Sequence, residues 1–99
     1  MTQRPWLPHY ADDVAPDLGE VTFSHLPDLV RASSSEYAST IAFTQCMPNG
    51  MNGSLTYAQV DALSDDFAAY LREVVGLAQG DRVAVQMPNC LAYPIVAFG

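Results

Sequence analysis

The sequence contains no lysine, and its only cationic side chains are four arginines set against eleven carboxylates. Without lysine the chain has no Schiff-base amine, no lysine general base and no P-loop lysine for a nucleotide phosphate. A net charge of −7 repels nucleic-acid backbones and anionic lipid surfaces. We therefore expect no nucleic-acid partner, and membrane association is not indicated.

Long apolar runs and a secretory leader are also missing. A membrane-spanning helix needs about 18 uninterrupted apolar residues. The most apolar stretch, from Val83 to Phe98, is interrupted by Gln86, Pro88, Asn89 and Pro94. Residues 1–10 carry an arginine and two prolines but no apolar signal-peptide segment. These absences predict a cytoplasmic protein.

Side chains that carry chemistry are few and scattered. Cys46 and Cys90 would make one bridge at most, and in a reducing compartment they are interpreted as small apolar residues. His9 and His25 have no metal-ligand spacing, and neighbouring carboxylates on a helix diverge by about 100°. No serine lies in a Gly-x-Ser-x-Gly elbow, and no glycine cluster forms a phosphate-binding loop. The sequence therefore offers no candidate catalytic, cofactor-binding or metal-ligating residue.

The N-terminal segment, residues 1–20, differs in composition from the rest. It is rich in proline and acidic residues, which favours an extended arm over a packed element. Its aromatic anchors are Trp6 and Tyr10. Because an exposed tryptophan favours docking, one hypothesis is an interaction module in which the arm binds a second copy and forms a homo-oligomer.

Residues 21–99 predict the start of a larger α/β domain in the order helix, hairpin, long helix, buried strand and helix. Apolar positions from Leu26 to Tyr37 share one helical face, with Ser24 as the N-cap. Thr40 to Cys46 is rich in β-forming residues, and a turn rich in asparagine and glycine precedes the return strand Ser54 to Thr56. This pattern predicts a hairpin.

The long helix is the best-signalled element of the chain. Thr56 followed by Gln59 is a capping box, and Leu55 with Val60 is a hydrophobic staple. Gly76 predicts a left-handed helix end after Val75.

The last third of the chain predicts one strand and one helix. Val83 to Val85 is a continuous apolar run, typical of a parallel strand covered on both faces. Asn89 is expected to cap the following helix, with Pro94 in its first turn. A lone central strand leaves its backbone groups unpaired, so we expect the chain to be part of a longer protein.

Short segments spread over nearly the whole chain carry a family resemblance. They are Arg4-Pro5-Trp6 with Tyr10, Leu55-Thr56-Tyr57, Phe67-Ala68-Ala69-Tyr70-Leu71, Gly80-Asp81-Arg82-Val83-Ala84, Met87-Pro88-Asn89, Tyr93-Pro94 and Phe98-Gly99. Together they resemble the AMP-forming acyl-CoA synthetases of the adenylate-forming superfamily, and most of all the bacterial long-chain fatty-acid CoA ligases. Two departures concern packing: Val60 stands where leucine is usual, and the loop from Pro48 to Gly53 is longer than common.

The resemblance implies a large N-terminal domain of layered α/β subdomains, of which this chain is the first and incomplete part. It implies ATP, magnesium and coenzyme A for the whole enzyme, which activates a long-chain fatty acid to an acyl-adenylate and then to acyl-CoA. The family's phosphate loop, hinge and catalytic lysine lie beyond Gly99, so no active-site residue is carried over and residues 1–99 alone are expected to be inactive. Another adenylate-forming enzyme, such as a peptide-synthetase adenylation domain, remains the alternative of the same class.

Overall fold

A computed structural model describes residues 4–99 and gives a mixed arrangement of helices and one hairpin. The elements are a 3-10 turn at Leu7–His9, helix α1 at Leu26–Glu36, strand β1 at Ile41–Cys46, strand β2 at Asn52–Thr56, helix α2 at Tyr57–Tyr70 with a π-helical turn at Leu71–Val75, and helix α3 at Ala92–Phe98. Helix α2 is the central element, because it contacts α1, both strands and α3.

The N-terminal arm is less extended than the sequence predicts. The Arg4 guanidinium forms an ion pair with Asp17 and donates to the carbonyl of Pro16. This contact folds the arm back on itself, and the 3-10 turn lies inside the loop so formed. The first three residues of the predicted arm lie outside the described residues, and the domain boundary after residue 20 stays a prediction.

Helix α1 forms where its apolar face predicts, but the expected N-cap is wrong. His25 takes the N-cap position, and its Nδ1 accepts the amide of Asp28 at 3.3 Å. Ser24 instead donates its hydroxyl to the Asp28 carboxylate at 2.8 Å. A cap at Ser24 would have Pro27 at its third helical position, which has no N–H to donate, whereas His25 has the amide of Asp28 there.

The predicted hairpin is confirmed, with a longer second strand. β1 and β2 are antiparallel, and Gln45 pairs with Gly53 and Cys46 with Asn52. The register shifts between Ile41 and Phe43, which places a bulge at the start of β1. The connecting loop closes with the amide of Met47 donating to the carbonyl of Met51 at 2.9 Å.

The predicted capping box of α2 is confirmed in both directions. The Gln59 amide donates to Thr56 Oγ1 at 3.2 Å, and the Thr56 amide donates to Gln59 Oε1 at 2.9 Å. The helical run ends at Val75, followed by Gly76 with φ of 78° in the left-handed region. The last turn widens to a π turn, so Leu71 accepts from both Gly76 and Leu77.

Removing the Thr56 hydroxyl tests how much the capping box stabilises α2. We expect Thr56→Ala to lower the free energy of unfolding by about 1 kcal/mol, because one amide of the first turn loses its acceptor. Urea unfolding followed by circular dichroism measures the change. Thr22→Ala, at an exposed position outside every helix and strand, is the matched control and should differ from the unaltered chain by less than about 0.5 kcal/mol. Equal losses in the two variants would contradict a role for the cap.

The predicted buried strand at Val83 to Val85 is wrong for this structure. Its residues have no regular secondary structure, and Val83 and Val85 are 50% and 43% exposed. A parallel strand needs a neighbour to pair with, and the only sheet among residues 4–99 is the β1–β2 hairpin. A turn precedes this segment, in which the amide of Ala78 donates to the Asp81 carboxylate at 2.8 Å and Gly80 has a positive φ.

Helix α3 begins later than predicted. Leu91, not Asn89, occupies the N-cap position and provides no side-chain hydrogen bond. Pro94 lies in the first turn as expected and is buried. Backbone N–H groups in the first turn have no intrahelical acceptor, so the missing N–H of Pro94 costs the helix no hydrogen bond.

The apolar core is very small. Val60, at 3% exposure, and Pro94 are the only buried apolar residues within the described range. The radius of gyration is 18.2 Å, whereas a compact domain of this length has about 13 Å. Many large apolar side chains therefore face solvent.

Candidate functional site

The polar residues singled out from the sequence do not converge on one another. Among residues 4–99, no group of three or more His, Cys, Asp or Glu side chains lies close enough to hold a metal ion. Asp65 on α2 is 3.5 Å from the Arg31 guanidinium of α1, and both side chains are well exposed. The Glu36 carboxylate raises the pKa of the Tyr37 hydroxyl by a hydrogen bond and by its charge. These side chains lie on a solvent-exposed surface that is mostly acidic.

Neither cysteine takes part in a disulfide, and Cys46 is exposed where packing was expected. Cys46 follows Gln45 along β1, so the two side chains leave opposite faces of the strand. Gln45 faces the loop that carries Cys90, because its Oε1 accepts the amide of Leu91 at 3.3 Å. Cys46 and Cys90 nevertheless border the same cavity, between β1 and the loop that precedes α3.

One face of the hairpin borders two surface depressions, and we name it the hairpin inner face. Strand alternation and the cross-strand register place six residues on it. They are Phe43, Gln45, Met47, Met51, Gly53 and Leu55.

Helix α3 and its preceding loop cover only part of the hairpin inner face. The rings of Phe43 and Phe98 pack with centroids 6.4 Å apart. Leu91 lies so close to Gly53 that a Cβ on this glycine would stand 3.2 Å from Leu91 Cδ1. The hairpin tip, with Met47 and Met51, extends beyond this cover.

Two cavities lie along the hairpin inner face. The first, of about 360 Å³, extends from Phe43 and Gln45 to Tyr93 at the start of α3. The second, of about 270 Å³, lies around Met47 and Met51 at the hairpin tip. Gln45 borders both cavities, and we call the two depressions together the hairpin groove.

A third cavity lies between the helices and the hairpin. It has about 250 Å³ and is bordered by Val30 of α1, Phe43 of β1, Tyr57 and Val60 of α2, and Phe98 of α3. Its walls are almost wholly apolar, and no charged side chain lines it. It offers no pair of groups for acid–base or nucleophilic chemistry.

The arm leaves its anchors partly in solvent, with Trp6 at 51% and Tyr10 at 43% exposure. Both side chains are accessible to a partner, and association through them stays a prediction. Sequence reasoning did not single out Gln45, Met47 or Met51 as surface-forming residues. Their sequence signal is the absence of charge along the hairpin.

The first comparison concerns the family. Residues 30–99 match the sequence model described as AMP-binding enzyme, so the chain belongs to the family of AMP-binding enzymes. Its helices and single hairpin are those of an incomplete α/β N-terminal domain of an adenylate-forming enzyme.

Individual relatives show which kinds of AMP-binding enzyme the chain is similar to. The chain is 36% identical over 97 residues to the long-chain-fatty-acid–CoA ligases of Escherichia coli O157:H7 and Yersinia pestis, an overlap of 98% of this chain and 16% of each relative. It is 34% identical over 74 residues to 4-coumarate–CoA ligase-like 9 of Oryza sativa, an overlap of 75% of this chain and 13% of that protein. No solved structure matches significantly. The chain thus spans about a sixth of the bacterial ligases that it matches.

A membrane crossing demands a helix that is both long and strongly apolar, and the helices considered are those within residues 4–99. None of them meets both requirements.

Proposed function

We propose that this chain is the N-terminal scaffold segment of a long-chain fatty-acid CoA ligase. The observation that carries the proposal is the 36% identity to the bacterial ligases along 98% of the chain. That overlap includes the N-terminal arm, whereas the rice relative matches over 75% of the chain. The longer overlap favours the long-chain ligases over other adenylate-forming enzymes.

The complete enzyme would use ATP and magnesium to activate a long-chain acid and would then pass the acyl group to coenzyme A. Phosphate charge in such a reaction is stabilised by cations and by aligned backbone donors. The described residues do not fit these groups, because no metal-binding cluster is present and the capping box of α2 occupies the Gln59 amide at the helix start. No chemical step is therefore assigned to this chain.

Its role in the proposal is structural. Thr56 and Gln59 fix the start of α2, and α2 in turn holds α1, the hairpin and α3 in place. This arrangement would hold the first layer of the ligase domain on which the rest of the enzyme builds its active site.

Two activity assays test the proposal, one on the chain alone and one on a complete ligase into which the chain has been grafted. With ATP, Mg²⁺, coenzyme A and palmitate, the purified chain should form no acyl-CoA above the blank. The E. coli O157:H7 ligase, with its matching 97 residues replaced by those of this chain, should retain activity within about tenfold, a barrier change of about 1.4 kcal/mol.

The matched control is the same graft carrying Val60→Asp, which should be inactive because the segment cannot pack. A folded graft that forms no acyl-CoA would contradict the proposed function. If an acyl-CoA-forming activity copurified with the isolated chain, this result would contradict its scaffold role.

A further inference from the structure

The hairpin lies in a stretch without any charged residue. Residues 37–60 contain no Asp, Glu, Lys or Arg, although the chain carries fifteen such residues in total, eleven acidic and four basic. The charge-free stretch runs from the end of α1 through β1 and β2 to the first turn of α2. A surface built to face water normally carries interspersed charges.

The same stretch exposes large apolar side chains on the hairpin groove. Phe43, Met47 and Met51 are 38%, 43% and 63% exposed, and Tyr93 across the groove is 50% exposed. Contiguous exposed apolar side chains mark a surface that another protein surface covers. The thioether chains of Met47 and Met51 adapt their shape to whatever packs on them.

The groove has no group that would recognise a charged partner. Its polar side chains are all uncharged, and Gln45, which borders both cavities, is already engaged because its Oε1 accepts the amide of Leu91. A basic partner would be drawn to the carboxylates of the arm and of α2, since the net charge of −7 lies outside the charge-free stretch. The occupant is therefore an uncharged protein surface, with apolar side chains where it meets Met47 and Met51.

The relatives indicate where that surface comes from. The chain covers 16% of the E. coli ligase, so five sixths of such an enzyme lie outside the segment that matches this chain. A surface in the same polypeptide has a high effective concentration and needs no separate association step. A second copy of this chain would instead bring another seven net negative charges to the contact.

We propose that the hairpin groove is the docking surface for the rest of the ligase domain, which covers Met47 and Met51 with uncharged apolar side chains. This inference rests on the proposed function, because it takes the ligase as the longer polypeptide. The groove side of the hairpin then becomes interior, whereas the charged side of α2 stays in water.

Methionine oxidation measures this burial directly, since each oxidised thioether gains one oxygen from hydrogen peroxide, which leaves as water. Met47 and Met51 would be followed by peptide mass spectrometry in the chain alone and in the grafted E. coli ligase. We expect oxidation in the chain alone at a rate within about threefold of a free methionine peptide, and at least about tenfold slower oxidation in the graft.

Glu73→Met provides the matched control, because it places a thioether on the charged side of α2, where Glu73 is 68% exposed. This methionine should oxidise at the same rate in the chain alone and in the graft. Equal rates for Met47 and Met51 in the two proteins would overturn the docking proposal. Oxidation is scored on folded graft whatever its activity, so an inactive graft with protected methionines contradicts the proposed function alone.

A smaller graft keeps the test decisive if the larger one does not fold. Only the segment that aligns with residues 37–60 is then replaced, which leaves the rest of the E. coli ligase intact. The same tenfold protection of Met51 is expected, and rapid oxidation in this graft would likewise overturn the proposal. Slower oxidation of the chain alone at high concentration would show instead that a second copy covers the groove.

Discussion

Val60→Asp is expected to unfold the chain. Val60 is 3% exposed and borders the cavity between α1, the hairpin and α3, so the new carboxylate would lie among apolar groups. An unpaired buried charge costs about 3–5 kcal/mol, which is comparable to the whole stability of a small domain. Urea unfolding followed by circular dichroism should show a midpoint near zero denaturant.

Val74→Asp is the matched control for this change, because it puts the same carboxylate on the same helical run at 70% exposure. It should change the free energy of unfolding by less than about 0.5 kcal/mol. If both variants unfolded alike, the small core around Val60 would not be what holds the chain together. If neither lost stability, the contacts of α2 would not determine the fold.

Ser64→Leu is expected to separate α3 from α2. Ser64 is 5% exposed, and a Cβ at Gly99 would stand only 2.5 Å from the Ser64 carbonyl oxygen, so the two helices meet closely there. A leucine has no room at such a contact, and overpacking costs about 1–3 kcal/mol or more. Hydrogen exchange at Ile95 to Phe98 should become as fast as in an unstructured peptide.

Ser64→Ala tests whether the hydroxyl group of Ser64, apart from the size of its side chain, determines the contact between α2 and α3. The Ser64 hydroxyl is buried without a hydrogen-bond partner among the described residues, so its removal should leave stability unchanged or raise it slightly. A loss of stability in Ser64→Ala equal to that in Ser64→Leu would show that the hydroxyl, not the close approach, determines the contact.

Local signals made part of the fold predictable. The capping box at Thr56 and the left-handed Gly76 depend on neighbours within a few residues, and both were predicted from the sequence. The hairpin followed from β propensity and its turn, although Asn52 and Gly53 belong to β2 instead of to the loop. The N-caps at His25 and Leu91 were missed because neither residue is among the preferred capping types, and Leu91 caps without any side-chain hydrogen bond.

Features that depend on distant partners could not be predicted in the same way. Val83 to Val85 has the composition of a buried strand, yet the strand forms only where a neighbouring strand is present. The hairpin groove arises because Leu91 packs on Gly53, a contact between residues far apart in sequence. Propensity and periodicity do not encode such a contact.

The central position of α2 has a consequence during synthesis. Helix α2 contacts α1 and the hairpin, which directly precede it, and α3, which follows it. A growing polypeptide can therefore assemble this layer as soon as α2 and α3 leave the ribosome, because contacts between neighbouring elements close at small entropic cost. The hairpin groove would then be exposed on an already folded surface until the segments translated afterwards pack against it.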